Sequence, residues 1–223
     1  MSETYPIVLA ITGGSGAIYA LRLLEVLLAA GQKVQLSISE AGRQVLRHEL
    51  GLNLDLDDFR LDDLFPDTER LADPRCATLR AIYPDFDRRC DVSAEAITYY
   101  HYKNLLAPIA SGSNRTAGMV ICPSSGGTLS AIAHGAAGNL IQRAAEVHLK
   151  ERRPVIVVPR ETPLSATHIE NMRRATEAGA IVLPASPGWY HGVTTLRDLV
   201  DFMVGRICDQ LGIDNCLMKR WGE

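Results

Sequence analysis

The chain lacks several features that would fix its class at once. Cysteines are few and odd in number, five in all: Cys76, Cys90, Cys122, Cys208 and Cys216. None forms a CxxC pair, which excludes a disulfide framework and a zinc site built on such pairs; reduced thiols in a cytoplasmic protein are the expectation. No apolar run approaches the ~18–20 residues that span a bilayer, so no membrane role is expected. The N-terminal residues carry no basic cluster leading into an apolar core, and no secretory signal is expected. An excess of one charge is missing too. Lys and Arg number 23 against 26 Asp and Glu, a net charge of −3, which argues against a bulk electrostatic grip on nucleic acid or an anionic surface. The histidines (His48, His101, His134, His148, His168, His191) show no HExxH or similar spacing, so no metal is expected.

What is present is an alternation of strand and helix. The 223 residues are 47% hydrophobic, enough for one domain with a large core. Ile7–Thr12 is a continuous apolar run that enters Gly13-Gly14-Ser15-Gly16, and a helical stretch follows to a stop at Gly31. Val34–Ser39 predicts a second strand and Ala41–Leu50 a helix closed by Gly51. Gly118–Cys122, Pro154–Pro159 and Ala180–Pro184 predict three more strands, separated by helices over 139–152 and 165–178, with a last helix over 195–211. Buried-type strands alternating with helices predict an α/β fold: a three-layer, doubly wound parallel sheet of the flavodoxin or Rossmann kind, one domain over 1–223. Residues 52–110 break the pattern. Asp55, Asp57, Asp58, Asp62, Asp63 and Asp67 crowd the first part, and Pro66, Pro74, Pro84 and Pro108 punctuate it. This stretch reads as an irregular excursion from the sheet.

Ligands of such sheets bind beyond the carboxyl ends of the strands. Two loops there combine glycines with hydroxyls ahead of a helix: Thr12-Gly13-Gly14-Ser15-Gly16 and Ser125-Gly126-Gly127-Thr128. Glycine lets the backbone approach a ligand, and a helix N-terminus offers N–H groups and partial positive charge to an anion. The first loop is not a Walker A loop, because no Gly-Lys-Ser/Thr closes it. A GxGxxG fingerprint starting at Gly14 fails at Tyr19. A GxSxG elbow around Ser15 fails at Ala17. A mononucleotide phosphate fits these loops better than a dinucleotide.

Arg143 and Lys150 share one helical stripe, roughly 10 Å apart along the axis, with Glu146 between them. Arg160-Glu161 follows directly on the strand ending at Pro159. Tyr190 lies in an aromatic turn, Trp189-Tyr190-His191. Arg206 sits among apolar residues of the last helix, and Trp221 in the tail requires a surface to cover it, on a neighbouring subunit for instance.

Six blocks together resemble the flavin prenyltransferase (UbiX-type) family: Thr12-Gly13-Gly14-Ser15-Gly16-Ala17, Val120–Leu129, Asn139–Ala144, Leu149–Pro154, Val158–Pro163 and Arg220-Trp221-Gly222. The resemblance covers 7–50 and 111–223 and carries nothing over to 52–110. It implies a flavoprotein-type domain that joins a dimethylallyl group from dimethylallyl monophosphate to N5 and C6 of reduced FMN, without a metal. The product, prenylated FMN, would serve a UbiD-type decarboxylase. By the same resemblance Gly13, Gly14, Ser15, Ser39, Ser125, Gly126, Gly127, Thr128 and Arg143 match FMN-binding positions. Ser111, Gly112, Lys150, Arg160, Tyr190 and Arg206 match the surroundings of the prenyl phosphate. Ser15, Glu49 and Glu161 match positions near the chemistry, and a homo-oligomer, a dodecamer with shared sites, is implied.

Three alternatives stand beside it. An FMN-dependent cysteine decarboxylase of the same fold would carry Asn where Gly127 stands and leaves Lys150, Arg160 and Glu161 without a role. A non-catalytic flavin carrier for a decarboxylase would keep both loops but would not need Glu161, Lys150 or Arg206. An aromatic-acid decarboxylase would act without any partner enzyme.

Overall fold

The computed structural model describes residues 5–65, 72–83 and 94–222. Pro66, Asp67, Pro84 and Cys90 lie outside the described residues. Six strands form one parallel sheet: β1 (Ile7–Ile11), β2 (Val34–Ile38), β3 (Ile97–Tyr99), β4 (Gly118–Ser124), β5 (Val155–Pro159) and β6 (Ile181–Val182), in the spatial order β3-β2-β1-β4-β5-β6. The chain builds outward from β1 to β2 and β3, then crosses back to β4 and builds the other way. The order therefore reverses between β1 and β4, which is where such sheets open a crevice.

Strict alternation along the central strands divides the core in two. Ile7, Leu9 and Ile11 of β1, with Val120 and Cys122 of β4 and Ile156 and Val158 of β5, face one helical layer. That layer holds α1 (Ala17–Ala29), α2 (Glu40–Leu50), α4 (Ala77–Ile82) and α8 (Leu196–Leu211). Val8 and Ala10, Met119 and Ile121, and Val155 and Val157 face the other, made by α5 (Gly126–Ala133), α6 (Leu140–Lys150) and α7 (Ala166–Glu177). Every residue of β1, β4 and β5 is buried, as a parallel strand covered on both faces requires. The three-layer expectation holds.

The described residues of 52–110 hold a few short elements, and they pack on the sheet rather than leaving it. Leu52, Leu54, Leu56 and Leu64, the last in a single turn α3 (Leu61–Leu64), send their side chains into the first core, as do Leu79 and Ile82 of α4. Ile97–Tyr99 then returns as β3 and pairs in parallel with β2, Val34 opposite Ile97. Phe59 stacks on Tyr99 with ring centroids 4.2 Å apart, which ties the acidic stretch to that edge strand. Without β3 the order is that of flavodoxin-like sheets; with it, the dinucleotide-fold order.

A buried ion cluster joins α1 to α8. Arg22 is 7% exposed; its Nε donates to Asp201 at 2.6 Å, and it pairs with Glu25 at 2.8 Å. Arg197 reaches the same Asp201 at 3.4 Å and lies over the ring of Tyr83, which follows α4. Burial, reinforced by Glu25, pushes the Tyr83 hydroxyl well above the usual tyrosine range.

Candidate active site at the carboxyl ends of β1, β4 and β5

The crevice is closed at its floor by Thr12. Its side chain is buried, its Oγ1 donates to the carbonyl of Pro123 at 2.9 Å, and it accepts from the N–H of Ser125 at 2.8 Å. One hydroxyl thus locks the loop after β1 to the loop after β4. Their approach is so close that a Cβ on Gly14 would lie 2.7 Å from the Ser124 carbonyl oxygen. Gly16 holds φ at +103°, a conformation L side chains rarely adopt, and so begins α1. Sequence reasoning had Thr12 only as part of a motif; the signal was a hydroxyl ending an otherwise apolar strand.

The first loop departs from the expectation of a free helix N-terminus. Glu49, from the last turn of α2, places Oε2 2.9 Å from the N–H of both Gly16 and Ala17. A carboxylate of the protein itself caps α1, so a phosphate would have to share that end with Glu49 or bind beside it. Glu49 is thereby brought next to Ser15. Ser39 caps α2, its Oγ accepting from Gly42 N at 3.0 Å. The second loop keeps more of its expected character. Ser125 Oγ caps α5 by accepting from Thr128 N at 3.2 Å and donates to Thr128 Oγ1 at 3.0 Å, while a Cβ on Gly127 would meet open space. The N–H groups of Gly126 and Gly127 open the helix with no intrahelical acceptor.

Two further side chains line this end, and sequence reasoning passed over both. His168, in the first turn of α7, accepts at Nδ1 from the N–H of Ser165 at 3.3 Å, which leaves Nε2 as the ring's N–H. That Nε2 lies 3.1 Å from where a Cβ on Gly126 would stand. The Ser-x-x-His spacing of a capping box was the available signal. Tyr19, one turn into α1, packs its ring against Gly16. Burial raises its hydroxyl pKa, Cys122 and Glu49 add to that, and the positive field of Arg160 opposes it. Arg160 therefore acts on the mouth of the crevice from the end of β5, beside Glu161, whose Oε1 accepts from Thr162 N at 3.3 Å. Tyr190, 54% exposed, stands edge-on to Trp221 at 5.2 Å and to Phe202 at 5.7 Å. Trp221 is itself 82% exposed.

The remaining candidates lie at the opposite edge of the sheet. Helix α6 descends from its Asn139 cap and ends at Lys150, just before β5 starts at Val155. Lys150 pairs with Glu151, and its Nζ is 3.0 Å from where a Cβ on Gly112 would stand, so Ser111-Gly112 shares that edge. Helix α8 likewise descends, and its Leu211 touches Gly118 at the start of β4. Arg206, between buried Val204 and Ile207, lies in that lower half with its own side chain 43% exposed and paired with Asp209 at 2.8 Å. Arg143 lies higher on α6, its Nε donating to the Ala110 carbonyl at 3.2 Å and its Nη1 to Glu146 at 2.8 Å. One chain thus brings Gly13, Gly14, Ser15, Ser39, Glu49, Ser125, Gly126, Gly127, Thr128, Arg160 and Glu161 to one end of the sheet. It sets Lys150, Ser111, Gly112 and Arg206 about one strand length away, roughly 17 Å for five residues.

At that far edge His148, 1% exposed, donates from Nδ1 to the Ala144 carbonyl at 2.6 Å, and its Nε2 faces Thr116 Oγ1 at 2.7 Å. Burial, with the Arg153 charge adding to it, brings its pKa down to about 4. The unfolded chain binds a proton at His148 that the folded chain refuses. Stability is therefore full above about pH 6.5 and falls as pH drops toward about 4, by up to about 3 kcal/mol from this group. Urea titrations between pH 7 and pH 4 should show that slope in the native chain and a flatter one in His148→Gln; parallel slopes would contradict it.

Among the described residues no three His, Cys, Asp or Glu cluster as metal ligands, and no helix is long and apolar enough to cross a membrane. Cys76, Cys122, Cys208 and Cys216 are free thiols.

Comparison with known proteins agrees with this architecture. The sequence profile of the family described as Flavoprotein matches residues 1–208. The flavin prenyltransferase UbiX of Pseudomonas aeruginosa is 43% identical over 223 residues, covering 100% of this chain and 97% of that protein. The crystal structure of AnUbiX (PadA1) in complex with FMN and dimethylallyl pyrophosphate superposes with a TM-score of 0.78 at 30% identity, over 99% of each chain. A dodecameric FMN-dependent UbiX-like decarboxylase from Escherichia coli O157:H7 gives a TM-score of 0.76 at 28% identity, over 98% of this chain and 100% of that one. The chain belongs to the Flavoprotein family and, within it, to the UbiX-type flavin prenyltransferases.

Proposed function

We propose that this protein transfers a dimethylallyl group from dimethylallyl monophosphate to reduced FMN, bonding it to N5 and C6, and that the prenylated FMN goes to a UbiD-type decarboxylase. The observation that carries this is the crevice itself: two glycine–hydroxyl loops locked together by Thr12, with Arg160 and Glu161 at the rim. The residues fit a phosphorylated planar ligand. Gly127 leaves open space where a side chain would stand, and the N-terminus of α5 and His168 Nε2 offer N–H donors on the same side. Reduced flavin, when bound, supplies the nucleophilic nitrogen and carbon.

This chain's own groups do the rest. As the allylic C–O bond lengthens, negative charge grows on the departing phosphate, and cationic donors aimed at it lower the barrier. Arg160 offers a forked fit to phosphate oxygens, and Arg206 and Lys150, reaching the crevice of a neighbouring subunit, add a second fork and a point charge. Tyr190 and Trp221 supply ring faces to a positively charged carbon skeleton and exclude water. In this reading Glu161 moves a proton between the phosphate oxygen and the flavin carbon C6.

Lys150, Ser111, Gly112 and Arg206 stand about one strand length from the crevice of their own chain. Their side chains at the far edge, and the exposed Trp221, support a site completed by neighbouring subunits of a homo-oligomer, as in a dodecamer. Native mass spectrometry tests this half of the reading: FMN and dimethylallyl monophosphate should be retained together only by the oligomer. Retention of both by the isolated monomer would contradict it. A parallel titration with the diphosphate fixes which donor is preferred.

A further inference from the structure

The loop carrying Ser111 and Gly112 is short of regular structure, yet two arginines hold its carbonyls. Arg143 takes Ala110, as described. Arg153 takes the rest: its Nη2 donates to the Gly112 carbonyl at 2.6 Å and its Nη1 to the Asn114 carbonyl at 2.6 Å. The same Nη1 lies 3.3 Å from Thr116 Oγ1, which in turn meets His148 Nε2 at 2.7 Å. Because His148 Nδ1 must donate to Ala144, its Nε2 accepts, and the Thr116 hydroxyl points its proton at the ring. The hydroxyl's lone pairs are thereby left facing Arg153. The chain from Ala144 through His148, Thr116 and Arg153 to Gly112 has one consistent set of donors and acceptors.

Local backbone aims this fork. Helix α6 ends with Arg152 at φ +57°, a left-handed residue where glycine is usual. Arg153 N donates to the His148 carbonyl at 2.9 Å and Arg152 N to the Leu149 carbonyl at 3.0 Å, the paired bonds of a Schellman turn. The turn sends Arg153 back across the loop rather than outward. Meanwhile the loop lies against the end of α6: a Cβ on Gly112 would meet the side-chain ends of Glu151 and Lys150.

We propose that Arg153 is a positioning residue for prenyl transfer: its guanidinium fork, braced by Thr116 and His148, fixes the Gly112 and Asn114 carbonyls and so sets the Ser111–Gly112 loop against Lys150 where the prenyl phosphate rests. This inference rests on the function proposed above. Arg153 touches neither reactant and acts through the loop. A lysine keeps the charge but cannot bridge two carbonyls with one planar group.

The test uses the intact oligomer, with Arg153→Lys and the milder Thr116→Val. Steady-state prenylation at saturating reduced FMN should show KM for dimethylallyl monophosphate raised about tenfold in Arg153→Lys and less in Thr116→Val, with kcat and FMN affinity little changed. Amide hydrogen exchange over residues 111–116 should quicken in both variants. An unchanged exchange rate would overturn the clamp. Faster exchange with an unaltered KM, or KM and FMN affinity worsening together, would overturn its link to the prenyl phosphate. If the native chain turns over no prenyl phosphate, the functional reading fails, and the exchange measurement still decides the clamp.

Discussion

Glu161→Gln should lower turnover by two to four orders of magnitude while leaving FMN binding close to that of the native protein. The side chain keeps its size and its reach from the end of β5 but can no longer take up or release a proton. Arg160 stays beside it, so the departure of phosphate is still assisted. The loss falls on closure at C6, where a proton must leave the flavin carbon. Flavin recovered from the variant should carry the isoprene unit on N5 without the closed fourth ring, read by absorbance and by proton NMR, because the open and closed adducts are isomers of equal mass. Complete ring closure at the native rate would refute the proton-transfer role. A variant that no longer bound FMN would place Glu161 in the cradle instead.

The largest effect on stability is expected far from the chemistry, at Asp201. Its carboxylate, 8% exposed, takes Arg22 Nε at 2.6 Å and draws in Arg197. Asp201→Ala leaves a buried guanidinium with Glu25 as its remaining carboxylate. Breaking a buried pair from one side costs about 3–5 kcal/mol, and Glu25 keeps the expected loss near the lower figure. For a chain of this length about 3 kcal/mol corresponds to a melting temperature lowered by roughly 6–12 °C. The triple replacement Arg22→Met, Glu25→Gln and Asp201→Leu should recover most of it, because no buried charge of the cluster is then left unpaired. A single variant within 1 °C of the native chain would show that Arg22 finds water or another partner. The pair joins α1 to α8, so its loss also loosens the helix whose first turn Glu49 caps.

Much of this was legible in the residues because the relevant signals are local. The runs at Ile7–Ile11, Gly118–Cys122 and Val155–Pro159 are apolar because parallel strands bury both faces, and the glycine–hydroxyl loops follow the first two directly. What escaped is non-local. Strand β3 has three residues and half-exposed side chains, so Ile97-Thr98-Tyr99 shows neither a buried run nor a clear alternation. Glu49 reaches Gly16 across 33 positions, and no spacing rule connects them. The split of candidate residues between the two ends of the sheet follows from helix direction: α6 must return to the start of β5, which carries Lys150 away from the crevice that Arg160 enters. Arg206 stands out as a charge among apolar neighbours in the sequence, and Asp209 one turn on gives it a partner and a face at the surface.

The most direct measurement is anaerobic incubation of the protein with reduced FMN and dimethylallyl monophosphate, followed by mass analysis of the released flavin. A gain of one five-carbon isoprene unit, with inorganic phosphate released in equal amount, is the expected result. Flavin returned at its starting mass, with the prenyl phosphate intact, would contradict the account and leave a carrier or a decarboxylase in its place.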